Sequence, residues 1–193
     1  MPIVNSIIFA LDFRKKMKNL LKIVFAGSFA LMLASCTSQS TVPSAKVEAL
    51  LQAGEFTFMA ERANPMGNDV VNILNSLPNT SSSQMLNLDY GYTLQIKKDE
   101  VKAELPYFGR MYTANMDPSK NSYRFTSKDF TFTENDGKNG SLMYNIVTKD
   151  LSNNAQLSLQ IFKSGKAYLS VSSNDRQPIS YDGYIKENLV VKK

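Results

Sequence analysis

Six side chains in three short segments of this 193-residue chain have the types and spacing to hold an anion. Arg62 and Asn64 lie in Arg62-Ala63-Asn64-Pro65-Met66-Gly67. Tyr107 and Arg110 lie in Leu105-Pro106-Tyr107-Phe108-Gly109-Arg110, and Asn174 and Arg176 in Ser172-Ser173-Asn174-Asp175-Arg176-Gln177. A guanidinium is planar and offers paired N–H donors that match carboxylate and phosphate oxygens, while amides and phenols add single hydrogen bonds. If the strand ends that carry these residues meet at one rim, they form a cationic mouth for a small anionic ligand. The competing reading is fold construction. Pro65 with Gly67 and Pro106 with Gly109 set turns, and each arginine pairs with a nearby carboxylate such as Glu61, Glu104 or Asp175.

Other chemistry is excluded by composition. Histidine is absent and Cys36 is the only cysteine. Serine and cysteine nucleophiles activated by histidine cannot be built, and neither can zinc sites of His and Cys. No glycine-rich phosphate loop and no calcium-loop pattern is found. No cofactor and no metal are therefore expected, and the chain reads as a non-enzyme. What remains for catalysis is a pair of carboxylates. A glycan hydrolase of that kind needs two acids about 5–10 Å apart in a cleft. Most acids here instead alternate with apolar residues on outward strand faces.

The sole cysteine has a clear context. Arg14, Lys15, Lys16, Lys18 and Lys22 precede an apolar run from Ile23 to Leu33, which closes at Leu33-Ala34-Ser35-Cys36. A positive region, a short apolar core and a small-residue cleavage site make a secretory leader. The run is about half of the roughly 20 residues that span a bilayer as a helix. Its last four residues match the lipobox of bacterial lipoproteins, in which Cys36 receives the lipid and cleavage falls before it. The expected divisions are a leader over residues 1–35, a lipidated tether over 36–43 and one domain over 44–193. Met17 would open a more usual leader than Met1. No acidic residue directly follows Cys36, which favours the outer membrane of a Gram-negative envelope.

Charge follows the same division. The formal net charge is +5, but residues 1–36 carry five cations and one anion, leaving 17 cations and 16 anions beyond them. A near-neutral domain has no nucleic-acid footprint.

The elements that must position the candidate residues are mostly strands. Apolar residues alternate at Phe56/Phe58/Ala60, Leu88/Tyr90/Tyr92/Leu94/Ile96, Val101/Ala103/Leu105, Phe130/Phe132, Leu142/Tyr144/Ile146, Leu157/Leu159/Ile161, Ala167/Leu169/Val171 and Ile179/Tyr181/Ile185. Polar turn signals separate them at Lys98-Asp99, Asn135-Asp136-Gly137, Ser152-Asn153-Asn154, Ser164-Gly165 and Asn174-Asp175. Such spacing predicts a mainly β domain, an antiparallel sheet forming a barrel or a two-sheet sandwich. One short helix opens it, from Ser44 with Val47, Leu50 and Leu51 on one face and Gly54 as its stop. A second short helix is expected at Val70, Ile73, Leu74 and Leu77, capped by Asn68 or Asp69, followed by a flexible serine-rich loop.

The three arginine segments, together with Phe56-Thr57-Phe58 and Gly91-Tyr92-Thr93-Leu94, resemble the domain of unknown function family 4251. The likeness runs in order over roughly residues 46–187, with a longer stretch than usual between about Asp69 and Asp89. The family comprises lipoproteins of Gram-negative gut anaerobes. The resemblance implies an outer-envelope location and no assigned activity.

These observations favour an envelope-anchored, non-catalytic binding or scaffolding module whose partner is an envelope protein, a glycan or a small anionic ligand. The alternative is a carrier of a lipid or small anionic ligand. It needs an open barrel lined by Tyr90, Tyr92, Phe130 and Phe132.

Overall fold

Period-two alternation builds nine strands, and the computed structural model describes residues 44–78, 81–112 and 122–188. The leader, Cys36 and the tether lie outside the described residues. In chain order the elements are α1 (Ser44–Ala53), β1 (Phe56–Pro65), α2 (Asn68–Ser76), α3 (Ser82–Leu86), β2 (Thr93–Ile96), β3 (Val101–Pro106) and β4 (Ser122–Ser127). They continue as β5 (Phe130–Asp136), β6 (Leu142–Thr148), β7 (Gln156–Ile161), β8 (Lys166–Ser173) and β9 (Arg176–Lys186). The strands form one antiparallel sheet in the order β4-β3-β2-β1-β9-β8-β7-β6-β5, curled into a nearly closed barrel. This decides between the barrel and the sandwich.

The inner faces supply the core. Phe56, Phe58, Leu94, Ile146, Leu159 and Tyr181 are each at most 1% exposed. Each such aromatic or aliphatic side chain contributes roughly 1.5–3 kcal/mol on burial. α1 adds Val47 and Leu50, and it stops where expected. Gly54 has φ +67° and its N–H donates to the Leu50 carbonyl at 3.2 Å. α2 and α3 add Leu74 and Leu86 beside β1.

The open edges are β4 and β5, which follow each other in the chain without pairing. Asp150, on the β6–β7 turn, fastens that corner. Its Oδ1 accepts from the Ser127 hydroxyl at 2.6 Å and its Oδ2 from the Lys128 N–H at 2.8 Å. Those two bonds hold the Asp150 carboxyl below the usual carboxylate range. Because β5 is an edge, Phe132 stays 38% exposed although it faces inward opposite Ile146.

Four features depart from the sequence reading. First, Leu88 to Ile96 is not one strand, since β2 begins only at Thr93. The Leu88 N–H donates to the Glu61 carbonyl at 2.8 Å and the Tyr92 carbonyl accepts from the Ala60 N–H at 3.0 Å. Asp89, Tyr90 and Gly91 arch out between those two bonds, with Gly91 at φ +125°. That conformation suits only glycine. Second, β1 carries a bulge at Glu61, where the register steps from Ala60↔Gly183 to Arg62↔Asp182. Third, β4 carries no signal among the expected strands. Fourth, the insertion holds two helices. The serine run forms α3, with Ser81 as its cap accepting from the Gln84 N–H at 3.3 Å, and α2 is preceded by Gly67 with no side-chain cap. Ile73 and Leu77, expected on the packed face of α2, are 62% and 42% exposed.

Next to the bulge, β1 and β9 approach closely at Gly183. A Cβ on Gly183 would collide with the Met59 carbonyl oxygen and meet the Phe58 ring at 3.0 Å. Gly183→Ala should therefore destabilise the domain by about 1–3 kcal/mol through forced backbone displacement. A lowered urea midpoint with an unchanged denaturant slope would report it; an unshifted midpoint would show that the pair can widen freely.

Candidate functional site

The rim that carries β3's end, β4's start and the β8–β9 turn is built around one buried cation. Arg176 is 4% exposed. Its Nη2 and Nε donate to Asp175 Oδ2 at 2.7 and 3.0 Å, and Nη1 donates to the Ser122 carbonyl at 3.3 Å. The guanidinium carbon also lies 4.9 Å from the centre of the Tyr107 ring and 4.7 Å from that of Tyr123. These two rings meet edge to face, 5.7 Å apart. Removed from water, a guanidinium requires both a counter-charge and donors satisfied all round, and this arrangement supplies them.

Hydrogen bonds fix the neighbours in turn. The Tyr107 hydroxyl is within bonding distance of the Arg110 carbonyl at 2.9 Å and the Gln177 carbonyl at 3.1 Å. Tyr123 and Ser173 share a bond of 3.1 Å between their hydroxyls, and Ser173 donates to Asp175 Oδ1 at 2.6 Å. Tyr181 reaches the Pro106 carbonyl at 2.6 Å. Backbone pairing completes the clamp, with the Gln177 N–H donating to the Arg110 carbonyl and the Tyr112 N–H to the Asp175 carbonyl.

Titration behaviour follows from this packing. Burial pushes Tyr107 up to about 12, the neighbouring Tyr123 adding to the shift and the Arg176 charge opposing it. Burial also raises Tyr123 and Tyr181. Burial would raise Asp175, but the bonds from Arg176 and Ser173 and the Arg176 charge outweigh it, so its carboxyl sits below its ordinary value.

The six expected residues thus divide. Tyr107, Arg110 and Arg176 come together at this rim, Arg110 through its backbone. Arg176 pairs with Asp175, as the fold-construction reading has it. Asn174 is exposed on the β8–β9 turn, its N–H held by the Asn153 carbonyl at 3.1 Å. Arg62 and Asn64 belong to another surface. Beyond the bulge Ala63 takes the inward place opposite Tyr181, so Arg62 and Asn64 turn outward, and Asn64 donates to Asp182 at 2.8 Å. Sequence reasoning missed Tyr123 and Ser173. The alternation of Tyr123 and Phe125 with Arg124 and Thr126 was the available signal for the strand that carries Tyr123.

Two outcomes follow. Arg176→Ala strands the Asp175 carboxylate and opens a void under two rings, and should cost about 3–5 kcal/mol. Arg176→Met, which keeps the packing, should cost less, and urea denaturation of both variants gives the comparison. The second outcome concerns alkali. Free tyrosine ionises near 10, so between about pH 10 and 12 the unfolded chain releases protons that folded Tyr107 retains. Stability must fall across that window. Phenolate absorbance followed against pH should show several late-titrating groups, and one fewer in Tyr107→Phe.

The model of a family described as "Domain of unknown function (DUF4251)" matches residues 38–185. No curated protein matches the chain. Among solved structures, the crystal structure of a DUF4251 family protein from Bacteroides eggerthii DSM 20697 is similar at a TM-score of 0.47 and 10% identity, covering 75% of this chain and 87% of that one. The match spans most of the sheet and all three arginine segments, and the chain belongs to the DUF4251 family.

Proposed function

We propose that this chain is a lipid-anchored protein of the cell envelope whose β domain is a non-catalytic binding or scaffolding module. The anchor reading rests on Leu33-Ala34-Ser35-Cys36 and the cationic and apolar run before it. The observation that carries the binding reading is the packed barrel interior. Large side chains from both halves of the sheet meet across it: the rings of Phe56 on β1 and Tyr144 on β6 lie 5.7 Å apart, and Phe132 on the neighbouring β5 adds a ring 5.1 Å from Tyr144.

A carrier would need an interior lined by Tyr90, Tyr92, Phe130 and Phe132. Tyr90 and Tyr92 are instead 79% and 37% exposed and line a groove on the outer surface. Recognition on the outer surface and rim is the reading this favours, with no cofactor required.

The anchor is tested by metabolic labelling with a fatty acid in a Gram-negative host. The wild-type chain should take up label and sediment with outer-membrane fractions. Cys36→Ala should lose the label and remain as an uncleaved precursor. Equal labelling of both would overturn the lipoprotein reading.

A further inference from the structure

The arch at Asp89–Gly91 forms one wall of a groove of about 490 Å³ beside the end of β3 and the start of β4. Tyr90, Tyr92, Tyr107 and Phe108 present ring surface there, and Asp89, Glu104 and Arg124 stand among them. Tyr90 and Tyr92 are 79% and 37% exposed, a large aromatic area for a protein to leave in water. These rings are also held in place. Tyr90 accepts a hydrogen bond from Lys186 Nζ at 2.6 Å, and that ammonium lies 5.0 Å from its ring centre. Lys186 lines a separate groove of about 290 Å³ that shares Tyr90 with the larger one, and the Tyr90 side chain stays largely in solvent. Tyr107 is pinned through its hydroxyl to two carbonyls.

We propose that this groove binds a neutral saccharide. A sugar ring has an apolar C–H face that stacks on an aromatic ring and a rim of hydroxyls that both donate and accept hydrogen bonds. The groove offers both kinds of partner, and fixed rings carry little ordering cost. Its charges cancel. Glu104 is paired with Lys102 at 2.9 Å, while Asp89 and Arg124 have opposite signs and no ion pair among the described residues. A carboxylate and a guanidinium without ionic partners suit a ligand that carries hydroxyls and no charge.

Size separates a saccharide from a proline-rich peptide, which aromatic grooves also hold. The lining comes only from the arch, the end of β3 with the two residues after it, and the start of β4, which makes a compact patch. A polyproline segment docks as an extended rod of about 3.1 Å per residue along a continuous groove. One or two sugar rings fit the smaller footprint.

This inference rests on the non-catalytic binding reading and is independent of the anchor, which the Cys36→Ala labelling tests by itself. The purified protein is applied to an array of neutral oligosaccharides beside arrays of acidic oligosaccharides and proline-rich peptides. Wild type should retain at least one neutral glycan. Tyr90→Ala and Arg124→Ala should each weaken that binding at least about tenfold. Phe162→Ala, an exposed aromatic on a different groove, should leave it unchanged. Unaltered urea midpoints would exclude misfolding as the cause. Retention of no neutral glycan, retention of acidic glycans or proline-rich peptides alone, or neutral binding indifferent to Tyr90 and Arg124 would each overturn the proposal.

Discussion

The antiparallel pairing of β1 with β9 is the joint on which the rest of the sheet depends. On one side of it β1, β2, β3 and β4 run as neighbours in chain order, and on the other β9, β8, β7, β6 and β5 do the same. Within each group, strands consecutive in the chain pair antiparallel. Only the β1–β9 ladder, which matches Thr57 with Lys186 and Pro65 with Ile179, joins the two groups into one sheet. Its partners are more than a hundred residues apart, so their pairing carries the largest loop-closure cost in the fold. The absence of a Cβ at Gly183 allows β1 to come close enough for the ladder to form. The bulge at Glu61 then reverses the inward and outward sense of everything that follows in β1.

That reversal explains what could and could not be read from the sequence. Most strands were legible because one face packs inward while the other meets water, and a period of two follows directly. The β2–β3, β7–β8 and β8–β9 hairpins fell at Lys98-Asp99, Ser164-Gly165 and Asn174-Asp175, where local turn chemistry decides them. Two of the departures arise where a distant strand decides. Arg62 and Asn64 continue the alternation of Phe56, Phe58 and Ala60 and would point inward in a regular strand. Only the partner strand β9 reveals the extra residue. Tyr90 and Tyr92 likewise complete an unbroken alternation through Leu94 and Ile96. The arch appears only when Leu88 and Tyr92 are seen bonded to Glu61 and Ala60. β4 was overlooked because its inward face is Tyr123, Phe125 and Ser127, a pattern with little aliphatic content.

The three arginines, alike in the sequence, meet three different physical fates. Arg176 is withdrawn from water and held by Asp175 and two rings, which makes it a structural cation. Arg62 is outward and exposed beyond the bulge. Arg110 contributes its backbone to the rim, where its carbonyl receives both the Tyr107 hydroxyl and the Gln177 N–H. An arginine in a turn segment is thus no sign of an anion site until its burial and its counter-charge are known. At the same rim the Tyr107 hydroxyl bridges the β3 end to the start of β9.

The seam between β4 and β5 raises a further constraint on how this domain meets others. An unpaired edge invites another strand, and β5 is exposed along most of its length. Two features oppose that. Glu134 and Asp136 occupy the inward-facing places of β5, opposite Tyr144 and Leu142, so an added strand would have to cover charge. The Ser127–Asp150 latch also fixes the corner where β4 passes into β5. Inward-pointing charge at an edge blocks continuation of the sheet. With the interior packed and the edge guarded, selective contact is directed to the outer faces and the rim. There the Tyr90 arch is the feature that local packing does not require: Gly91 permits it, Lys186 holds it, and its ring is left facing solvent.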